Sequence, residues 1–449
     1  MSENFDLLVI GTGTAGLSAA HATAAEGWRV GIVDALPYGG TCALRGCDPK
    51  KILRRGAEVI ESAALMRDRG IVDDGLRIDW SALQRHKRGF TDAMSRQIEE
   101  GLDDSGITTL HGTARFVAPD ALDVDGQVHR AERFLIASGA APKPLDLPGG
   151  EHVIDSTAFL GLETLPKRIV FIGGGFISFE FAHIAARAGA QCTILSRSER
   201  PLRGFDPDLV DRLVERTRSA GIDVRLSTTP ASVRQTTSGA FDIQMAGTDD
   251  AVEADLVVHG AGRAPALDGL ELDAAQVAHD DRGVTVHPHL QSTTNSAVWA
   301  AGDAAATRGR PLTPVASSEG SVAASNMLTG AETAPDYTGV SSTVFTIPEL
   351  TGVGMTEAAA REAGHHIDVR FSDTGSWYSN YRVGEKAAAA KIIVDADDDR
   401  ILGAHLFGPE YAEAVNVFSM AIALGLTAEQ LRAMPASYPS VGSDVASML

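Results

Sequence analysis

The chain has 449 residues, 44% of them hydrophobic, and a formal net charge of −20. That length exceeds one compact core and argues for roughly three domains. No run of ~18 apolar residues is present to span a membrane, and the acidic balance argues against a nucleic-acid partner, which needs a basic footprint. There are only three cysteines, which argues for a reducing cytoplasm. Met1-Ser2-Glu3-Asn4-Phe5-Asp6 lacks the basic region of a secretory signal and leads directly into a strand.

In chain order, Leu7–Ile10 reads as a short apolar strand, Gly11 to Gly16 as a turn, Leu17–Glu26 as an Ala-rich helix stopped by Gly27, and Arg29–Val33 as a second strand ending at Asp34. The turn has the spacing Gly11-x-Gly13-x-x-Gly16, with Asp34 eighteen positions past the last glycine. Between a strand and a helix this is a dinucleotide site. Gly11 permits the tight turn, Gly13 lets the backbone approach a pyrophosphate, Gly16 permits close helix–strand packing, and Asp34 accepts from a ribose diol. The polar stretch 50–100 reads as mostly helical. Pro142, Pro144, Pro148, Gly149 and Gly150 mark a linker.

A second unit of the same plan follows, with a strand at Ile169–Ile172, a turn at Gly173-Gly174-Gly175, a helix at Ile177–Ala188 and a strand at Gln191–Leu195. Its third fingerprint position is Ser178, which lets the helix pack only slightly farther from the strand. Cys192, inside the strand, reads as an inert core residue. After Pro335 the texture changes to short strands (Thr343–Phe345, Lys391–Val394) and helices (Ala412–Leu424, Thr427–Met434), an α+β pattern.

The segment Gly39-Gly40-Thr41-Cys42-Ala43-Leu44-Arg45-Gly46-Cys47-Asp48-Pro49-Lys50-Lys51 carries two of the three cysteines, five positions apart. On one helical turn such a pair can close a small, strained, easily reduced disulfide. A stabilising bridge or two unlinked thiols are the other readings of the spacing. The segment resembles the redox-active Gly-Gly-Thr-Cys-x4-Gly-Cys-x-Pro-Ser-Lys of the class I pyridine nucleotide-disulfide oxidoreductases, the FAD-dependent family of glutathione reductase, dihydrolipoamide dehydrogenase and mercuric reductase.

The resemblance implies an α/β fold with two Rossmann-like domains, for FAD and NADPH, plus a C-terminal α+β dimerisation domain. The expected division is 1–148 with 266–335 for FAD, 149–265 for NAD(P)H and 336–449 for dimerisation. It implies that Cys42 attacks the substrate and that Cys47 lies against the flavin. Lys51 matches the lysine beside the flavin, and Glu180 the carboxylate that pairs with it. Lys50 replaces the usual serine and reads either as added positive charge near the thiols or as a solvent-facing side chain. Around FAD the resemblance gathers Gly40, Thr41, Ser138, Gly139, Gly262, Arg263, Gly302, Thr313 and Pro314, with Asp303 toward the ribityl chain. Asp303 as a simple helix cap is the other reading. Gly173 and Gly175 are expected to hold the nicotinamide cofactor, with Phe176 as a gate over the flavin or as core packing. No acidic residue stands where an NAD ribose would need it. Arg197 and Arg203 match by position the arginines that clamp the 2′-phosphate, so NADPH is expected over NADH. A solvated loop face is the alternative, and Glu199 stands between the two arginines.

The C-terminus departs from the family's His-Pro-Thr-x-x-Glu. It reads Tyr438-Pro439-Ser440-Val441-Gly442-Ser443-Asp444. Tyr438 takes the place of the acid–base histidine and Ser443 that of the glutamate, with Asp444 one position late. A tyrosine hydroxyl is a poorer base than imidazole at neutral pH but still donates a proton. His405 is expected to pack within its strand. Trp377, Tyr378 and Tyr381 read as core or interface packing, or as lining for an acceptor. The expected protein is a cytoplasmic homodimer, with no membrane or nucleic-acid partner and no metal ligand set. It passes electrons from NADPH through FAD and the Cys42–Cys47 disulfide to a small-molecule disulfide. The alternatives are a mercuric-reductase-like reductase of a thiol-bound metal ion, a dihydrolipoamide dehydrogenase and a redox-sensing flavoprotein.

Overall fold

The computed structural model describes residues 4–449. Met1–Glu3, the start of the segment read as lacking a secretory signal's basic region, lie outside the described residues. The chain divides into two compact units. The first comprises Met1–Ile52, Arg85–Lys143 and Arg263–Tyr337, and the second Leu53–Gln84, Pro144–Gly262 and Thr338–Leu449. Two of the divisions fall inside the long helices Cys47–Leu65 and Trp80–Asp104, which account for the helical reading of residues 50–100.

The first unit is built on a seven-stranded sheet. Asn4–Ile10 lies between Val30–Asp34 and Gln127–Ile136, parallel to both, and Val298–Ala300 adds to the far side of Gln127–Ile136. Leu7–Ile10, Val30–Val33 and Phe134–Ile136 are near-continuous apolar runs because both faces of the parallel part of the sheet are covered, whereas the first half of Gln127–Ile136 is polar. Leu7, Leu8 and Val9 are fully buried. The register sets Ile10 opposite Val33 and Ile136, and Ile136 opposite Ala300. Four strands therefore end together, and the residues that follow them (Gly11, Asp34, Ser138 and Asp303 among them) gather at one carboxyl edge, where open α/β sheets bind ligands. The first helix begins at Thr14, earlier than the expected Leu17. It packs on Thr313–Thr329 through Ala15, Ala19, Ala20, Ala323 and Ala324. Gly320 makes the approach possible, since a Cβ there would collide with the Ala15 backbone.

The second unit contains a four-stranded parallel sheet in the order Asp223–Arg225, Gln191–Leu195, Arg168–Ile172, Leu256–His259. Here too Ile172 faces both Leu195 and His259, so Gly173, Ser196 and Gly260 leave the sheet side by side. The same unit holds a five-stranded antiparallel sheet of Ser342–Val344, Glu349–Gly354, Ile401–Gly408, Ala389–Asp395 and Ile367–Asp373. The helices Tyr411–Ala423, Ala428–Arg432 and Val441–Met448 pack on it. The Thr427–Met434 helix begins one residue later than expected, because Thr427 closes a capping box with Gln430 and so lies outside it, and it ends at Arg432. The last helix has no counterpart among the sequence expectations. Among the described residues no helix is long and apolar enough to cross a membrane.

Candidate active site

Gly39 and Gly40 adopt φ of +126° and +64°. A Cβ on Gly40 would stand 2.6 Å from the Cα of Gly13, so the cysteine segment can press against the first glycine turn only through glycine. Thr12 joins the two: its hydroxyl donates to Asp34 Oδ2 at 2.7 Å and accepts from Gly39 N at 3.1 Å. The helix Gly40–Arg45 then stops at Gly46, and a new helix starts at Cys47. This corrects the single helical turn expected for the pair. A side chain on Gly46 would stand 2.8 Å from the Thr41 carbonyl, and the break brings the two sulfurs together from separate helices.

Both cysteines are thiols. The Cys42 and Cys47 thiols interact directly and titrate together, each shifting the other in the opposite direction. That interaction, against the opposing cost of burial and with the charges of Lys50 and Lys51, pushes Cys47 below the ordinary thiol range. The same interaction, together with burial, pushes Cys42 well above the ordinary thiol range. The Thr313 hydroxyl donates to Cys42 Sγ at 3.2 Å and lies 4.0 Å from Cys47 Sγ. It is the one side chain that reaches both sulfurs among the hydrogen bonds of the described residues. Lys50 is buried, which overturns its solvent-facing reading.

Cys42, but not Cys47, lines a cavity of about 380 Å³. Its other walls are Leu17, Ser18 and His21 from one face of the first helix, Asp48 and Ile98, with Thr14, Gly39 and Ala43 completing it. None of these side chains was singled out from sequence. Leu17, Ser18 and His21 do share a helical face at i, i+1 and i+4, a pattern that by itself reads as surface.

The first glycine turn fits a dinucleotide. At Gly11 φ is +106° and a Cβ would collide with the Ala137 carbonyl, whereas a Cβ at Gly13 would meet no atom within 4 Å. The backbone is thus tight behind the turn and open in front of it, at a helix N-terminus. Asp34 is held by Thr12 N at 2.9 Å and Leu36 N at 2.9 Å, which fixes its carboxylate and leaves lone pairs for a diol. Ser138 Oγ is buried with no hydrogen-bond partner, an orphan that a bound ligand would satisfy. Gly139 has φ of +72°. Thr41, by contrast, is exposed. Asp303 stands in the short 3-10 turn Gly302–Ala304 rather than capping a long helix, with its carboxyl raised by burial and opposed by the charge of Arg263. Arg263 donates to the Ala140 carbonyl. Gly302 N is held by buried Glu319 at 2.7 Å, and Pro314 sits in the first turn of the Thr313–Thr329 helix.

The second glycine turn repeats the arrangement. Gly173 has φ of +121° and a Cβ there would collide with Gly260, while Gly175 caps the helix Phe176–Arg187. Gly262 has φ of +119°. Ser178 packs against Gly260, so the missing third glycine is compensated by a glycine on the facing strand end, and the Ser178 hydroxyl is a second buried orphan. Phe176 is 47% exposed, which overturns its core-packing reading. Arg197 and Arg203 are exposed. Arg203 touches Ser198 Oγ at 3.3 Å, and among the described residues no carboxylate pairs with either arginine, Glu199 included, whereas Arg200 is taken by Asp211. Glu180 is buried and accepts from Phe345 N at 2.9 Å.

At the C-terminus Tyr438 is 83% exposed. Ser443 is committed to the capping box of the last helix with Ser440, so its hydroxyl is no stand-in for a carboxylate. Asp444 is half-buried with its carboxyl raised by desolvation and opposed by a bond from Ser379. His405 packs as expected, bonding Met355 O at 2.9 Å. Cys192 is buried and pushed up to about 12 by that burial, as an inert thiol should be. Trp377 packs against the core, but Tyr378 and Tyr381 are 56% and 71% exposed, which rules out core packing for the two tyrosines.

Two dinucleotide cradles and an interacting pair of cysteines define a flavoprotein of the dithiol-relay class. The model of the pyridine nucleotide-disulphide oxidoreductases matches residues 5–320, and that of the family's dimerisation domain matches residues 340–448. The chain belongs to the class I pyridine nucleotide-disulfide oxidoreductase family. It is an enzyme, a flavin-dependent disulfide oxidoreductase that uses FAD and NAD(P)H. Among its relatives, a glutathione reductase of Burkholderia cepacia is 30% identical over 441 residues, covering 98% of this chain and 97% of that protein. A mercuric reductase of Lysinibacillus sphaericus is 29% identical over 442 residues, covering 97% and 80%. A solved Cu(II) complex of the HOCl-induced flavoprotein disulfide reductase RclA from Escherichia coli superposes with a TM-score of 0.89 at 27% identity, over 99% of both chains.

Proposed function

We propose that the chain is an NADPH-dependent reductase of small-molecule disulfides. The observation that carries the reading is the asymmetric placement of the thiol pair: Cys42 stands at the cavity wall with the Thr313 hydroxyl on its sulfur, while Cys47 lies outside the lining, where Lys50 and Lys51 act on it. FAD is assigned to the first cradle, with Asp34, Ser138 and Asp303, and NADPH to the second, with Arg197 and Arg203 for the 2′-phosphate. Bound there, the two cofactors supply the electron pair that returns the Cys42–Cys47 disulfide to two thiols. Lys51 adds positive charge on the Cys47 side. In the acceptor half, Cys42 gives up its proton and its sulfur attacks one acceptor sulfur. The acceptor S–S bond breaks and the first thiol leaves with that proton. The Cys47 thiolate then attacks Cys42, the Cys42–Cys47 bond forms, and the second acceptor thiolate leaves, taking a proton from Tyr438 of the partner subunit or from water. The three-domain division, the homodimer and the cytoplasmic setting belong to the same reading. The dimerisation-domain match supports the homodimer.

A second reading, reduction of a thiolate-bound metal ion as substrate, is favoured by Tyr438 in place of the acid histidine, since a metal acceptor needs no proton. A dihydrolipoamide dehydrogenase is disfavoured by Arg197, Arg203 and Tyr438. The test is a single-turnover reoxidation. Enzyme reduced with one equivalent of NADPH is mixed with glutathione disulfide, mycothiol disulfide, lipoamide or Hg(II), and the flavin–thiolate absorbance is followed. Fast reaction with a disulfide supports the proposal; failure with every disulfide and fast reaction with Hg(II) replaces it. A Cys47→Ser variant should lose acceptor reduction while NADPH still bleaches the flavin, and a fully active monomer would remove the homodimer from the reading.

A further inference from the structure

The cavity at Cys42 has room for a small ligand, at about 380 Å³. Its lining contains one fixed charge, the carboxylate of Asp48, and one side chain able to carry positive charge, His21. Every other lining residue is uncharged, and Leu17, Ala43 and Ile98 make an apolar wall. The cations nearest the thiols, Lys50 and Lys51, act on Cys47 and lie outside the lining, as does Arg45. Residues 433–449, which include Tyr438, contain no Lys, Arg or His, so a second copy completing the site through this segment brings no cation either. The whole chain carries −20, a field that repels anions from any opening without local cations. Proteins that bind carboxylates do so with guanidinium forks or ammonium groups. An acceptor with carboxylates would have to desolvate them here beside Asp48 with no fixed partner.

We propose, building on the disulfide-reductase reading above, that the acceptor is a neutral or cationic small disulfide with short aliphatic arms. An ammonium or hydrogen-bond donor on it would be met by Asp48. Asp48 is then a specificity-determining residue for charge.

The experiment uses FAD-loaded enzyme, NADPH and three disulfides of similar size: cystamine (dication), bis(2-hydroxyethyl) disulfide (neutral) and 3,3′-dithiodipropionate (dianion). Each kcat/KM is divided by the rate of the same disulfide with dithiothreitol in solution, which removes differences in intrinsic reactivity. Cystamine is expected to exceed the neutral compound by about fivefold, and the neutral compound the dianion by at least as much, as charges several ångströms apart near a surface require. Asp48→Asn should bring cystamine and the neutral disulfide within about twofold of each other. His21→Arg should raise the dianion selectively. Because the readout is a ratio between acceptors, a general loss of activity in either variant does not move it. A dianion reduced as fast as the neutral compound, or a cystamine preference that survives Asp48→Asn, overturns this inference and leaves the disulfide-reductase reading standing. No turnover of any of the three, nor of any other disulfide, overturns both.

Discussion

Replacing Thr313 with valine removes one hydroxyl and little volume. The lost bond, 3.2 Å to Cys42 Sγ, favours the thiolate that must form before attack. A hydrogen bond to a charged group is worth about 1.5–3 kcal/mol, and 1.36 kcal/mol is one pKa unit, so Cys42 should rise by roughly one to two units. The thiolate fraction then falls ~10- to 100-fold, but a more basic sulfur is a better nucleophile with a Brønsted slope of about 0.4–0.5, leaving a net loss of about three- to tenfold. Cys47, 4.0 Å from the same oxygen and held mainly by Cys42, should change little. The assay is single-turnover reoxidation as a function of pH, with flavin content checked first. Because Cys42 titrates above the ordinary thiol range in both proteins, the deficit should hold across the accessible pH range, NADPH reduction should be unchanged, and Thr313→Ser should restore the wild-type rate. An unaltered reoxidation rate in Thr313→Val would make Thr313 a wall of the site and refute the argument.

Three further outcomes are expected. Arg197→Glu should lower kcat/KM for NADPH by about tenfold or more while sparing NADH, because it replaces a charge-assisted phosphate contact with repulsion; an unchanged NADPH/NADH ratio removes Arg197 from the phosphate site. Gly13→Ala should fold yet bind flavin poorly, since its Cβ meets no protein atom, whereas Gly11→Ala should lose folded protein through collision with Ala137 and a φ of +106°; retained flavin absorbance in Gly13→Ala would count against the cradle. His183 is fully buried and neutral, accepting from Ile347 N at 3.1 Å and donating to Thr217 Oγ1 at 3.0 Å, and burial beside Arg187 and Arg216 lowers its pKa well below 6.5. The unfolded chain takes up that proton as pH falls below 6.5 and the folded chain does not, so stability should drop by about 1.4 kcal/mol per pH unit there. His183→Gln should flatten the urea midpoint against pH in that window, and an equal slope in both proteins would exclude His183 as the source.

The glycine turns were legible because their requirements are local. An apolar run such as Leu7–Ile10 needs a covered sheet, and Gly11 or Gly173 at positive φ needs no knowledge of the rest of the chain. The dithiol segment was legible as residue types but not as geometry. The break at Gly46 depends on how closely the Thr41 carbonyl lies above it, and the burial of Lys50 depends on packing that no periodicity encodes. The C-terminal helix was missed because its start signal, a Ser440–Ser443 capping box, uses the residue that the family comparison assigned to a lost glutamate.

What tertiary structure adds is the asymmetry of the thiol pair. The spacing of Cys42 and Cys47 treats the two thiols alike, and only the resemblance tells them apart. The fold separates them by bringing Thr313 from 271 residues away onto Cys42 and opening the cavity on that side alone. Lys50 and Lys51 weight the other side. Those cations act on a sulfur away from the cavity wall and leave Asp48 as the fixed charge that an incoming acceptor meets. A single lysine at the cavity wall would have stabilised a thiolate on the acceptor side and welcomed anions together. Keeping positive charge behind Cys47 separates those two effects, so the same arrangement that distinguishes the thiols also sets the charge the acceptor should carry.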